Sequence, residues 1–91
     1  MLSEKVTSSL MEFKEVVFNK EILDPKVQSL VALAISAAIS CKPCIQNHYQ
    51  AAKDNNATEE EISAAIGTAI FGVAGKCKNY VEVAIEELKH Q

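Results

Sequence analysis

The sequence predicts an all-α fold, and three observations predict it. No window alternates apolar and polar residues at period two between turn signals, as a half-buried strand does. Apolar residues recur instead at helical spacing along most of the chain. Helix-start signals also stand at Ser3, at Asp24-Pro25 and at Thr58. The expectation is a compact bundle of about five helices in a single domain, residues 1–91.

Ser3 can cap a first helix over about residues 4–18, which sets Val6, Leu10, Phe13 and Val17 on one face. The second start has Asp24 at the N-cap and Pro25 at the first helical position, where a missing N–H costs nothing. From Val27 to Ile39 this helix is apolar almost all round, so it is expected to be the most buried element. Ser40 reads as the cap of a third helix running to about Asp54. Pro43 falls in its first turn, where proline is tolerated, and Asn55 and Asn56 end it.

The run "TEEE", Thr58 to Glu61, reads as a capping box on a solvated face. Its acidic side chains suit the positive end of the helix dipole. The fourth helix runs to about Val73, with Ile62, Ala65, Ile66, Ala69 and Val73 inward. Gly72 and Gly75 suggest a break, with one kinked helix as the alternative. A last helix to about Lys89 carries Cys77, Tyr80, Ala84 and Leu88 on one stripe, and Cys77 reads as a core residue. His90, near the terminus, reads as solvated.

Composition narrows the function classes. Apolar residues make up 48% of the 91 residues and charged residues 23%, which suits a folded globular domain. The net charge is -3 and lysines do not cluster, so a nucleic-acid partner is not expected. The longest apolar stretch, Leu30 to Ile39, is too short to span a bilayer and contains Ser36, so no membrane partner is expected either. The opening "MLSEKVTSSLMEF" has no signal-peptide core, which leads to an expectation of a cytoplasmic protein. A small subunit with this much apolar face is expected to form a homo-oligomer.

The chemistry concentrates in "SCKPCIQNH", residues 40–48. Cys41, Cys44 and His48 lie at i, i+3 and i+7, on one face of a helix. Cysteines in the first turn face free N–H groups and the positive dipole end, which favour the reactive thiolate. An imidazole one turn on can take a thiol proton. Two thiols at this spacing can also close a disulfide. A metal reading competes, with Cys77 a conceivable fourth ligand for zinc, as does plain packing of two cysteines and a histidine. Haem attachment is excluded because Ile45, not histidine, follows Cys44. A thioredoxin fold is excluded because "CKPC" follows an alanine-rich helical stretch and no proline occurs after Pro43.

The stretch "LVALAISAAISCKPCIQNHYQAAKDNNATEEEISAAI" resembles the AhpD-like (alkylhydroperoxidase D) branch of the carboxymuconolactone decarboxylase family over about residues 25–75. The resemblance rests on a buried apolar helix, then CxxCxxxH opening the next helix, then small residues and a capped helix. It implies an all-helical subunit assembling into dimers, trimers or hexamers, with a trimer or hexamer favoured. It implies a hydroperoxide or disulfide substrate; no bound cofactor or resident metal is expected, and the sequence does not name the dithiol electron donor. Carried over, Cys44 attacks, Cys41 resolves and His48 relays protons. One position departs from the family pattern: a relay glutamate usually stands twelve residues before the first cysteine, where this chain has Ser29, with Gln28 beside it. Serine can hold a water but is no carboxylate base. Glu12 and Glu15 on the first helix are candidate substitutes.

Overall fold

Capping bonds start three of the four helices where the sequence marks them. Ser3 Oγ accepts from the Val6 N–H at 3.2 Å and starts α1, Glu4–Val17. Asp24 Oδ1 accepts from the Lys26 N–H at 2.8 Å and starts α2, Pro25–Ala38. Thr58 Oγ1 accepts from the Glu61 N–H at 3.1 Å while Glu61 Oε1 accepts from the Thr58 N–H at 2.9 Å, a reciprocal box that starts α4, Glu59–Lys89. The computed structural model describes residues 1–91 and contains no strand.

The exception is α3, Lys42–Asp54, whose N-cap is Cys41 and not Ser40. Ser40 belongs to the end of α2. It takes the left-handed conformation, with φ 55°. Its N–H bonds Ala37 O at 3.1 Å, and the next N–H, of Cys41, reaches back to Ser36 O at 3.0 Å. These two bonds are a Schellman closure, in which a left-handed residue satisfies the last carbonyls of a helix. The end of α3 repeats it: Asn56 has φ 67°, its N–H bonds Lys53 O at 3.1 Å, and Ala57 N–H bonds Ala52 O at 2.9 Å. Ala52 and Ala57, joined by that bond, are both buried, the apolar contact that accompanies this motif.

The helices number four because α4 runs 31 residues without a break. Gly72 and Gly75 have ordinary helical φ, and nothing crowds the place a Cβ would occupy. Glycine weakens a helix by about 1 kcal/mol relative to alanine but does not stop one.

The core lies where α2 crosses α3 and the first turns of α4. Leu33 and Ala52 are fully buried, Ile62 and Ala57 nearly so, and Leu30, Ile45 and Ile66 pack against them. As expected, α2 is the most buried helix, yet its inward stripe is Ser29, Leu33 and Ser36. The two serines donate to carbonyls four residues back, Pro25 O at 2.8 Å and Ala32 O at 2.7 Å, so neither hydroxyl is left unpaired. Charged contacts fasten the ends of the helices. Lys26 pairs with Glu61 at 3.0 Å, and Glu59 takes both Lys53 at 2.8 Å and the Tyr49 hydroxyl at 3.0 Å.

Beyond this core the chain is open. The expected inner face of α1, Val6, Leu10, Phe13 and Val17, is exposed, and α1 buries no residue. Val73 and the stripe Cys77, Tyr80, Ala84 and Leu88 are likewise exposed along the second half of α4. The radius of gyration is 17.6 Å, whereas a compact chain of this length reaches about 12 Å. No helix is long and apolar enough to cross a membrane.

Candidate active site

The Schellman closure of α2 decides where the first cysteine sits. Cys41 is at once the residue that completes that closure and the N-cap of α3, so the turn between the helices has almost no slack. Lys42, Pro43 and Cys44 then occupy the first turn of α3. Cys41 and Cys44 are joined by a disulfide, with Cα atoms 5.2 Å apart, an ordinary separation for such a bridge. No side chain caps α3, and Pro43 lacks an N–H, so the Cys44 N–H is a free donor beside the bridge. Both cysteines and His48, one turn beyond Cys44, are half-buried.

His48 also forms part of a cavity of about 330 Å³ where α3 meets the start of α2 and the end of α1. Its polar wall is Gln28, Ser29, His48 and Asn55, with Lys14 and Lys20 at its α1 side. Phe18, Leu23, Pro25 and Ala51 make it apolar elsewhere. Ser29 Oγ accepts from Asn55 Nδ2 at 3.2 Å, which ties the middle of α2 to the end of α3. Asn55 Nδ2 also donates to Ala51 O at 2.8 Å. Gln28 Oε1 is buried with no hydrogen-bond partner, a state that costs about 1–3 kcal/mol.

Ser29, singled out by its spacing from Cys41, therefore shares a wall with His48. Glu12 and Glu15 do not line this cavity, and neither does any other carboxylate, so nothing there replaces the absent glutamate. Sequence reasoning missed Lys14, Lys20 and Asn55, because no local pattern connects them to the cysteine motif. Cys77 is a free, exposed thiol, against the expectation of a core residue. It lies on an apolar groove with Ala37, Ala69 and Val73 that a single chain leaves uncovered. No three histidine, cysteine or acidic side chains gather as a metal-holding group, so Cys77 does not complete a zinc site with Cys41, Cys44 and His48. His90 is exposed and contacts Glu86 at 2.7 Å.

The family model for the carboxymuconolactone decarboxylase family matches residues 4–86. The chain belongs to this family. The family includes AhpD peroxidases, and this member has the Cys41–Cys44 pair at CxxC spacing. It is similar to "Uncharacterized protein 4 in cox locus" of Paracoccus denitrificans, 29% identical over 83 residues, which cover 91% of this chain and 75% of that protein. No solved structure matches the chain.

Proposed function

We propose that this family member is an AhpD-type thiol-disulfide oxidoreductase that reduces hydroperoxides at the expense of an external dithiol. The observation that carries the reading is the Cys41–Cys44 bridge at the start of α3 with His48 one turn beyond it. In the reduced enzyme His48 takes the Cys44 thiol proton. The Cys44 thiolate attacks the terminal oxygen of the hydroperoxide, the O–O bond breaks, and the alkoxide leaves as an alcohol with the proton that His48 held. Cys44 is then a sulfenic acid. The Cys41 thiol attacks the Cys44 sulfur and releases water, closing the disulfide. A dithiol reduces that bridge by exchange and leaves as its own disulfide. One hydroperoxide and one dithiol become one alcohol, one water and one disulfide.

A homo-oligomer is part of the same proposal. A compact monomer of 9.9 kDa exposes about 5,200 Å², whereas this chain exposes 7399 Å². The excess, about 2,200 Å², is in the range that a subunit of an obligate assembly covers. It lies on apolar side chains such as Leu10 at 60%, Phe13 at 57%, Phe71 at 80% and Leu88 at 67% exposure. Further copies of the chain, as a trimer or hexamer, are the occupants this surface suits. A monomer mass by light scattering at micromolar concentration refutes that.

Stopped-flow mixing of the reduced protein with tert-butyl hydroperoxide tests the activity. Loss of two thiols per peroxide, with no tightly held zinc, is the expected result. Unchanged thiols, or one equivalent of zinc bound by Cys41 and Cys44, overturns it.

A further inference from the structure

We infer that the cavity beside His48 binds a small organic acid, with Lys14 and Lys20 holding its carboxylate, so that the substrate class is a carboxylate-bearing hydroperoxide. The assignment of substrate class rests on the proposed peroxidase activity; the binding of the acid does not.

Charge is the first argument. The ion pairs of the chain engage Lys26, Lys53, Lys78 and His90; Lys14 and Lys20, like Lys5, Lys42, Lys76 and Lys89, have no carboxylate partner, but only these two line the His48 cavity. The cavity that these two lysines share contains no carboxylate. Both lysines are exposed at the rim of the cavity, and two positive side chains on one rim attract an anion, although the chain as a whole carries a net charge of -3.

Hydrogen bonding is the second. Asn55 Nδ2 is already committed to Ser29 Oγ and Ala51 O. Ser29 Oγ already donates to Pro25 O. The unmet group is an acceptor, the buried Gln28 Oε1. That oxygen has no exposed surface, so a ligand reaches it only once the Gln28 side chain turns into the cavity; a ligand that then pairs with it carries a donor, and the terminal O–H of a hydroperoxide is one.

Shape is the third. Between the lysines and Gln28 the wall is apolar, from Phe18, Leu23, Pro25 and Ala51. A volume of about 330 Å³ admits roughly ten non-hydrogen atoms at the roughly 30 Å³ that a water occupies in the liquid. The ligand thus described has a carboxylate at one end, a short aliphatic body and an O–H donor. His48 lines the same cavity and sits one turn from Cys44, whereas neither cysteine lines it, so the peroxide end of a ligand held there has to extend past His48 to meet the Cys44 sulfur.

Hexanoate is the probe for binding, with hexanamide as its uncharged counterpart, followed by NMR on the intact oxidised protein. Saturable shifts of the His48 ring and the Gln28 side-chain amide are expected with hexanoate, with affinity falling as salt is raised. Hexanamide is expected to bind at least about tenfold more weakly, and a Lys14→Gln, Lys20→Gln double variant is expected to lose the difference between the two. Equal shifts from both compounds, or shifts confined to other residues, overturn the site. The rate arm compares 6-hydroperoxyhexanoate with hexyl hydroperoxide. The ratio of kcat/KM, acid over neutral, is expected to fall about tenfold in the double variant. An unchanged ratio overturns the substrate class. Hexanoate binding without turnover of either peroxide supports the acid site and removes the peroxidase reading.

Discussion

Replacing Ser29 with glutamate puts a carboxylate into the His48 cavity. Ser29 is 8% exposed, and its hydroxyl accepts from Asn55 Nδ2 at 3.2 Å. Losing that tie between α2 and α3 costs about 1 kcal/mol. The longer side chain has room, because the cavity of about 330 Å³ opens beside it. Desolvation of the carboxylate adds to the cost, and Lys14 and Lys20 on the same cavity offset part of it. A net loss of about 1–2 kcal/mol is expected, which lowers the Tm of a domain this small by roughly 5–15 °C. The gain is kinetic. A carboxylate beside His48 orients the imidazole and stabilises the imidazolium that forms when it takes the Cys44 proton. Proton transfer by a positioned group contributes about 10²–10⁴-fold, and orienting that group recovers part of this, so a rise of up to about 10²-fold is expected in the first step. Single-turnover stopped-flow with tert-butyl hydroperoxide reads that step directly. Ser29→Gln is the control, nearly the same shape without the charge. Equal rates for the folded Glu and Gln variants refute the reasoning, because the carboxylate is then not what the relay lacks.

Cys44→Ser is expected to abolish reaction with hydroperoxide, whereas Cys41→Ser reacts once and leaves a sulfenic acid on Cys44 that mass spectrometry detects; the opposite pattern reverses the two roles. Leu33→Ala, at a fully buried position where three helices meet, is expected to cost about 3 kcal/mol or more in urea unfolding. Ser40→Gly relieves a left-handed serine at φ 55° and is expected to raise stability by about 1 kcal/mol in the same assay. The backbone bond from Thr58, with Lys26 beside it, holds the Glu61 carboxyl below the usual carboxylate range. Its stabilisation is therefore complete above the unfolded value of about 4.3 and is lost as pH falls through the lower folded value. Glu61→Gln should flatten that acid loss in thermal melts; an unchanged pH profile counts against it.

The helix starts were legible because a capping bond spans only three residues, so Ser3, Asp24 and Thr58 carry the whole signal in their own neighbourhoods. The cysteine motif was legible for the same reason: Cys41, Cys44 and His48 fall within eight residues, at the N-cap and the first two turns of one helix. Ser40 misled because serine suits an N-cap, and nothing local says that α2 must close with a left-handed residue first. Gly72 and Gly75 misled because glycine permits a break without requiring one, and a continuous helix costs little there.

The sequence by itself determined the helical class, three of the four helix caps and the CxxC pair, all of which depend on residues within one or two turns. Tertiary structure decided which stripe of the nearly all-apolar α2 turned inward. It chose Ser29, Leu33 and Ser36 because the approach of α3 and α4 selects that face. It also decided what surrounds His48. Lys14, Lys20, Gln28, Ser29 and Asn55 come from α1, the segment after it, α2 and the end of α3, and no periodicity links residues so far apart. The same holds for Cys77. Its apolar stripe reads as core along one helix, yet burial requires a second surface, and this single chain folds none against it.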